Sequence, residues 1–104
     1  LFRHRYPAPV HGFVIKGSWR YLEHDWVAKE GSYLFEPPGE IHTLVVDEDC
    51  EEMITLFHNS GALIYCDEDG NTIGTTDVFD RIEVAKKHFI KVGLGEEYVN
   101  QFIR

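Results

Sequence analysis

No apolar run in this 104-residue chain comes near the ~20 residues that a membrane-spanning helix needs, and no basic-then-apolar leader opens it. Cysteine is scarce. Cys50 and Cys66 stand far apart with no CxxC spacing, so a disulfide framework is not expected, and reduced thiols suit a cytoplasmic location. Basic residues are also few: 10 Lys and Arg against 18 Asp and Glu leave a formal charge of −8. Phosphate backbones and anionic lipid need a basic face, so neither nucleic acid nor a membrane surface is an expected partner. The chain opens on Leu1 and not on Met, straight into patterned sequence, so the expectation is a piece of a longer protein. There is no internal repeat. What is present is the ordinary content of one globular domain, 43% hydrophobic and 27% charged, with aromatics at 13%.

Short strands and turns fill the first two thirds. His11–Lys16 and Trp19–Glu23 are aromatic and β-branched, and Gly17–Ser18 between them suits a two-residue hairpin loop. Such a hairpin would pair Lys16 with Trp19 and His11 with His24. Ser32–Glu36 reads as a strand stopped by Pro37–Pro38–Gly39, which cannot continue a ladder. Ile41–Val46, Glu52–His58, Ala62–Cys66 and Thr72–Gly74 follow, with a turn at Asp67–Asn71. Strands at this spacing predict a sandwich or barrel. After Thr76 the period changes: Val78, Phe79, Ile82, Ala85, Phe89 and Ile90 recur at helical steps, with Asp77 as N-cap and Gly93 and Gly95 as the stop. A second short helix is expected over Glu96–Phe102. The expected organisation is a β domain over residues 1–76, with residues 77–104 as a helical segment packed on it.

Six histidines are many for this length, and four of them, His4, His11, His24 and His42, lie in the first 42 residues. His4 and His11 flank a proline-containing bend, and His42 follows a tight turn. Strand ends beside turns are where imidazoles converge, and three neutral imidazoles leave positions open on a transition metal. The candidate metal ligands are therefore His4, His11 and His42.

Two stretches carry a family resemblance. HRYPAPVHGFVIKG, from His4 to Gly17, resembles the first motif of the cupins, an HxH followed by Glu and then Gly. PPGEIH, from Pro37 to His42, resembles their second, a Pro-x-Gly closing on a histidine. Tyr6 stands where the second histidine of HxH is expected, and His11 where the glutamate is expected. The chain is also similar to cupin dioxygenases of the 2,4'-dihydroxyacetophenone dioxygenase type, through HRYPAPVHGFVIKGSWRYLEHDW, YLFEPPGEIHTLV and the acidic-aromatic tail after Thr76. The resemblance implies an all-β, jelly-roll-like cupin barrel with C-terminal helices. It also implies iron(II), with zinc as the alternative metal. The implied reaction is cleavage of a carbon–carbon bond beside a carbonyl, with O2 and a small aromatic ketone as substrates. Cupin barrels have strands ahead of the first motif, so strands from outside residues 1–104, or from another subunit, are expected to complete this one.

Tyr6, Glu23 and His24 are the candidate catalytic residues, and each has more than one reading. His24, with Glu23 beside it, is a fourth ligand, a hydrogen-bond partner orienting a ligand, or a solvent-facing turn residue. Tyr6 shares the face of His4 in an extended strand, and donates to substrate, ligates as phenolate, or simply packs. Phe13, Ile15, Phe35 and Leu44 are the expected substrate-pocket residues, although core is their default. His58 and His88 are expected to be structural. The apolar helix stripe and the aromatic end Tyr98–Phe102 predict a homo-oligomer. A non-catalytic zinc cupin that senses a ligand is the rival of a different class. A metal-dependent isomerase is a weaker rival, because inward arginines are not evident.

Overall fold

The structure, a computed structural model, describes residues 2–103. Among these residues nine short strands run in order: β1 (His4–Arg5), β2 (Val10–Lys16), β3 (Ser18–Tyr21), β4 (Val27–Lys29), β5 (Tyr33–Glu36), β6 (Leu44–Val45), β7 (Ile54–Asn59), β8 (Leu63–Cys66) and β9 (Thr72–Thr76). They form three three-stranded antiparallel sheets, ordered β1-β8-β9, β5-β2-β7 and β4-β3-β6. The fold is the expected jelly-roll-like one, but the described strands do not join into one closed barrel.

Strand β2 shows why the faces divide as they do. Val10, Gly12 and Val14 are buried while Phe13 and Ile15 are exposed, the period of two that a pleated strand imposes. Gly12 is where two neighbours meet: a Cβ there would fall 3.1 Å from Leu34 Cγ and 3.3 Å from Phe57 Cε1. The buried set Val14, Trp19, Tyr21, Ala28 and Leu44 forms the core, with Leu34, Met53 and Phe57 against it.

The predicted hairpin at Gly17–Ser18 does not form. β2 pairs with β5 and β7, and β3 pairs with β4 and β6. The ladder of β2 is irregular between Val14 and Lys16, and Gly17 follows at φ +75°. A Cβ at Gly17 would lie 2.1 Å from the Glu52 carbonyl oxygen. The bulge and the left-handed glycine together turn the chain out of one sheet and into the next. His11 accordingly pairs with Phe35 and His58, and not with His24.

The helix α1 (Val78–Lys91) starts as predicted. Asp77 accepts from the N–H groups of Phe79 and Asp80, at 2.9 and 3.0 Å, while Asp80 accepts from the Asp77 N–H, a reciprocal capping box. The predicted second helix is a 3-10 helix at Glu96–Phe102. The stripe is narrower than its periodicity suggested. Ile82, Ala85 and Phe89 are half-buried, whereas Val78, Phe79 and Ile90 are exposed. Phe89 packs on Tyr98 with ring centroids 4.8 Å apart, so the two helices chiefly cover each other. Among the described residues no helix is long and apolar enough to cross a membrane.

Candidate metal centre

His4 and His42 come together through the backbone. Each donates its N–H to the other's carbonyl, at 2.9 Å both ways, an isolated antiparallel bridge. Residues paired across such a bridge send their side chains to the same side, and the two imidazole centroids are 4.6 Å apart. Both rings are closed from solvent, at 0% and 1% exposure. Pro37–Pro38–Gly39 sets this up: the Gly39 N–H donates to the Tyr6 carbonyl at 2.8 Å, tying the turn before His42 to the strand that carries His4.

The surroundings orient the rings. His4 Nδ1 lies 2.6 Å from the Phe2 carbonyl oxygen. A carbonyl can only accept, so Nδ1 carries the hydrogen and Nε2 is the lone-pair nitrogen of the neutral ring. The Tyr21 ring stacks on His42 at 3.9 Å with 10° between planes. Tyr6 closes another side, 5.2 Å from His4 and 6.0 Å from His42 between ring centroids. Glu36, at the end of β5 and only 5% exposed, lies beside His42. Its Oε1 accepts from the Tyr21 hydroxyl and stands 3.8 Å from His42 Nε2.

Burial sets the protonation states. It lowers the pKa of His4, and it pushes His42 down to about 4, with the charge of a protonated His4 adding to the effect. Burial also raises Glu36 to about 7, helped by Glu40, and Tyr6 to about 12, helped by Glu36. With His42 neutral, its 3.8 Å approach to Glu36 is not an ion pair. Among the described residues five buried side-chain atoms lack any hydrogen-bond partner, and four of them are here: His4 Nε2, both nitrogens of His42, and Glu36 Oε2. Such groups cost on the order of 1–3 kcal/mol each when unsatisfied, so a water, a proton or a cation is needed to meet them.

The match to known sequence is decisive at this point. The model of the ChrR cupin-like domain matches residues 1–64. This chain belongs to that cupin family. An RmlC-like cupin from Ralstonia eutropha JMP134 is similar over 90% of the chain, at 29% identity and a TM-score of 0.82. A second protein from the same organism, of unknown function with a cupin-like fold, is similar over 89%, at 27% and 0.83. An acetylacetone dioxygenase from Acinetobacter johnsonii shares the fold over 77% of the chain and 55% of its own, at 21% identity and a TM-score of 0.63. The chain spans about 60% of the length of the first two structures. No curated protein matches it.

Cupins commonly bind a metal, and the residues bear on that in two ways. Among the described residues no group of three or more His, Cys, Asp or Glu is already arranged to hold an ion. The donor chemistry nonetheless fits a divalent transition metal: buried imidazoles kept neutral, a carboxylate beside them, and unpartnered nitrogen and oxygen atoms on all three.

Of the three expected ligands, the cupin brings only His4 and His42 together. His11 lies on the opposite face of β2, next to buried Val10 and Gly12, and its Nδ1 contacts the Tyr33 hydroxyl. Its ring neighbours are Phe35 and His58, at 5.3 and 6.1 Å. His24 contacts Glu40 through Nε2 and stacks on Trp26, on the turn side of the cluster. Glu23 accepts from the Thr43 N–H at 2.7 Å and the Thr43 hydroxyl at 3.0 Å, gripping the residue next to His42. The expected pocket residues are not around the histidines either. Phe13, Ile15 and Phe35 share the exposed face of His11, and Leu44 is packed in the core. A cavity of about 390 Å³ does adjoin the cluster at Tyr6, walled by Phe57, Leu63, Val78 and Arg81.

Sequence reasoning missed Tyr21 and Glu36. A faint signal existed, since alternation in SYLFE puts Glu36 on the face of Leu34 and not that of Tyr33 and Phe35.

Proposed function

We propose that this cupin holds iron(II) at His4 and His42 and cleaves an aromatic hydroxyketone with O2, giving an aromatic acid and formate. The carbon–carbon bond beside the carbonyl breaks, and both oxygen atoms enter the products, so the equation balances with no other co-reactant. The observation that carries this is the facing pair of buried, neutral imidazoles with unpartnered nitrogens. The motif resemblance to hydroxyacetophenone-cleaving cupins and the dioxygenase among the fold relatives support the choice of chemistry.

Iron(II), when bound, would supply Lewis-acid polarisation of the ketone and the redox partner for O2. The chain's own residues do the rest. The Phe2 carbonyl fixes the His4 tautomer, leaving Nε2 as the donor atom. The stacked Tyr21 ring and the double backbone bridge hold His42 in place. Tyr6 keeps its proton, since its pKa is about 12, and can donate it in a hydrogen bond to a substrate oxygen. The cavity beyond Tyr6 would seat the aromatic ring against Phe57, Leu63 and Val78 and leave Arg81 and Asn59 to meet its polar groups.

Oxygen uptake by iron(II)-loaded protein with a hydroxyacetophenone, and recovery of one aromatic acid and one formate per O2, is the expected result. Tight binding of zinc with no uptake on any hydroxyketone would instead favour the sensory reading, to which the ChrR-like family match gives some weight.

A further inference from the structure

We infer that Glu36, and neither His11 nor Tyr6, is the third protein ligand of this centre. The inference rests on the metal-binding reading above and names its ligand set.

Glu36 is 5% exposed, a rare place for a carboxyl group, and its Oε2 has no hydrogen-bond donor. A buried carboxyl oxygen without a donor is held only where it meets a proton, a water or a cation. Its other oxygen is already held by the Tyr21 hydroxyl, and that tyrosine stacks on His42. One residue thus positions both candidate donors, so carboxylate and imidazole are presented as a unit. The strand register explains the placement. Glu36 pairs with Val10 on the inner face, while the neighbouring pair Phe35–His11 points outward. A single step in register separates a ligand position from a surface position, and His11 is on the wrong side of that step.

Two imidazoles and one carboxylate form a donor set that suits iron(II) and leaves several coordination positions open. A divalent cation there would be left with one positive charge, where three imidazoles would leave two. His42 neighbours both Glu36 and His4, and the three side chains are not yet a coordination shell. Metal binding is therefore expected to draw them onto one point.

The test uses cobalt(II) as a spectroscopic probe, with the full chain and circular dichroism as the folding control. Wild-type protein should bind one cobalt(II) with visible absorption bands. Glu36→Gln, which keeps shape and removes charge, should weaken binding by more than the roughly 10–100-fold typical of residues that merely orient a ligand. Glu36→Asp should retain binding with a shifted spectrum. If Glu36→Gln does not fold, the Glu36→Asp spectrum and affinity decide alone, and wild-type values there overturn the inference. Wild-type affinity and spectrum in folded Glu36→Gln, together with loss of metal in His42→Ala, would overturn Glu36 as a ligand and leave the proposed function standing. Wild-type cobalt binding in both His4→Ala and His42→Ala would remove the centre itself, and with it both readings.

Discussion

The two faces of this cupin each carry a pair of histidines, and the pairs have opposite characters. His4 and His42 are enclosed, 4.6 Å apart, and His4 Nε2 and both nitrogens of His42 meet no partner. His11 and His58 face each other across β2 and β7 at 6.1 Å, on the exposed side, where His11 already has the Tyr33 hydroxyl. The side chains are chemically identical. Burial keeps the inner pair neutral with three nitrogens unsatisfied, while the outer pair lies open to solvent and His11 meets Tyr33.

Removing one member of each pair should break this comparison most visibly. His42→Ala is expected to abolish stoichiometric metal binding, measured by mass spectrometry of metal content after dialysis. His11→Ala should retain it within a factor of about 10, since only residues near the metal carry larger penalties. Metal loss in His11→Ala with retention in His42→Ala would invert the assignment.

The next effect is on stability against pH in the metal-free protein. His42 titrates near 4 when folded and near 6.5 when unfolded. The unfolded chain therefore binds more protons between those values, and this group's contribution grows as pH rises from 4 to 6.5. It is lost as pH falls through the same window. Glu36 works the other way: its folded pKa of about 7 against 4.5 makes its contribution shrink as pH rises from 4.5 to 7. The slopes are each roughly 1.4 kcal/mol per pH unit and opposite in sign. They oppose each other between pH 4.5 and 6.5, and the lowered pKa of His4 adds to the rising side, so wild-type stability should climb with pH there. Glu36→Gln should steepen that climb, and His42→Asn should flatten it. Profiles unchanged from wild type in both variants would mean that the two groups are not buried as described.

Tyr6→His sharpens the comparison from the other direction. Tyr6 flanks both buried rings, so an imidazole there should add a donor to the inner cluster. Cobalt(II) affinity is expected to rise by at least about 10-fold, comparable to the lower end of the loss when a supporting residue is removed. Isothermal titration would check it.

The smallest effect is on the outer face. His11→Ala should cost within roughly 1 kcal/mol of unfolding free energy by urea denaturation, because it removes one hydrogen bond from a partly exposed group.

Much of this was readable from residue order. Strand alternation, the Pro37–Pro38–Gly39 stop, the Asp77 cap and the Pro-Gly-x-x-His ending all depend on near neighbours, and each reappears in the fold. His4 and His42 were readable for the same reason: each sits beside a turn that marks a strand end. Glu36, Tyr21 and the true position of His11 were not. They depend on which strand lies beside which, and Gly17 was read as a hairpin loop when it is a corner between sheets.

By itself the sequence determined the cupin class, the turn that delivers His42, and the wealth of imidazole near the N-terminal end. Tertiary structure alone decided which imidazoles meet. In a strand, neighbouring side chains point to opposite faces, so pairing and register decide whether a histidine is buried or bathed in water. Val10 opposite Glu36 turns the carboxyl inward, and the next pair, His11 opposite Phe35, turns the third histidine out.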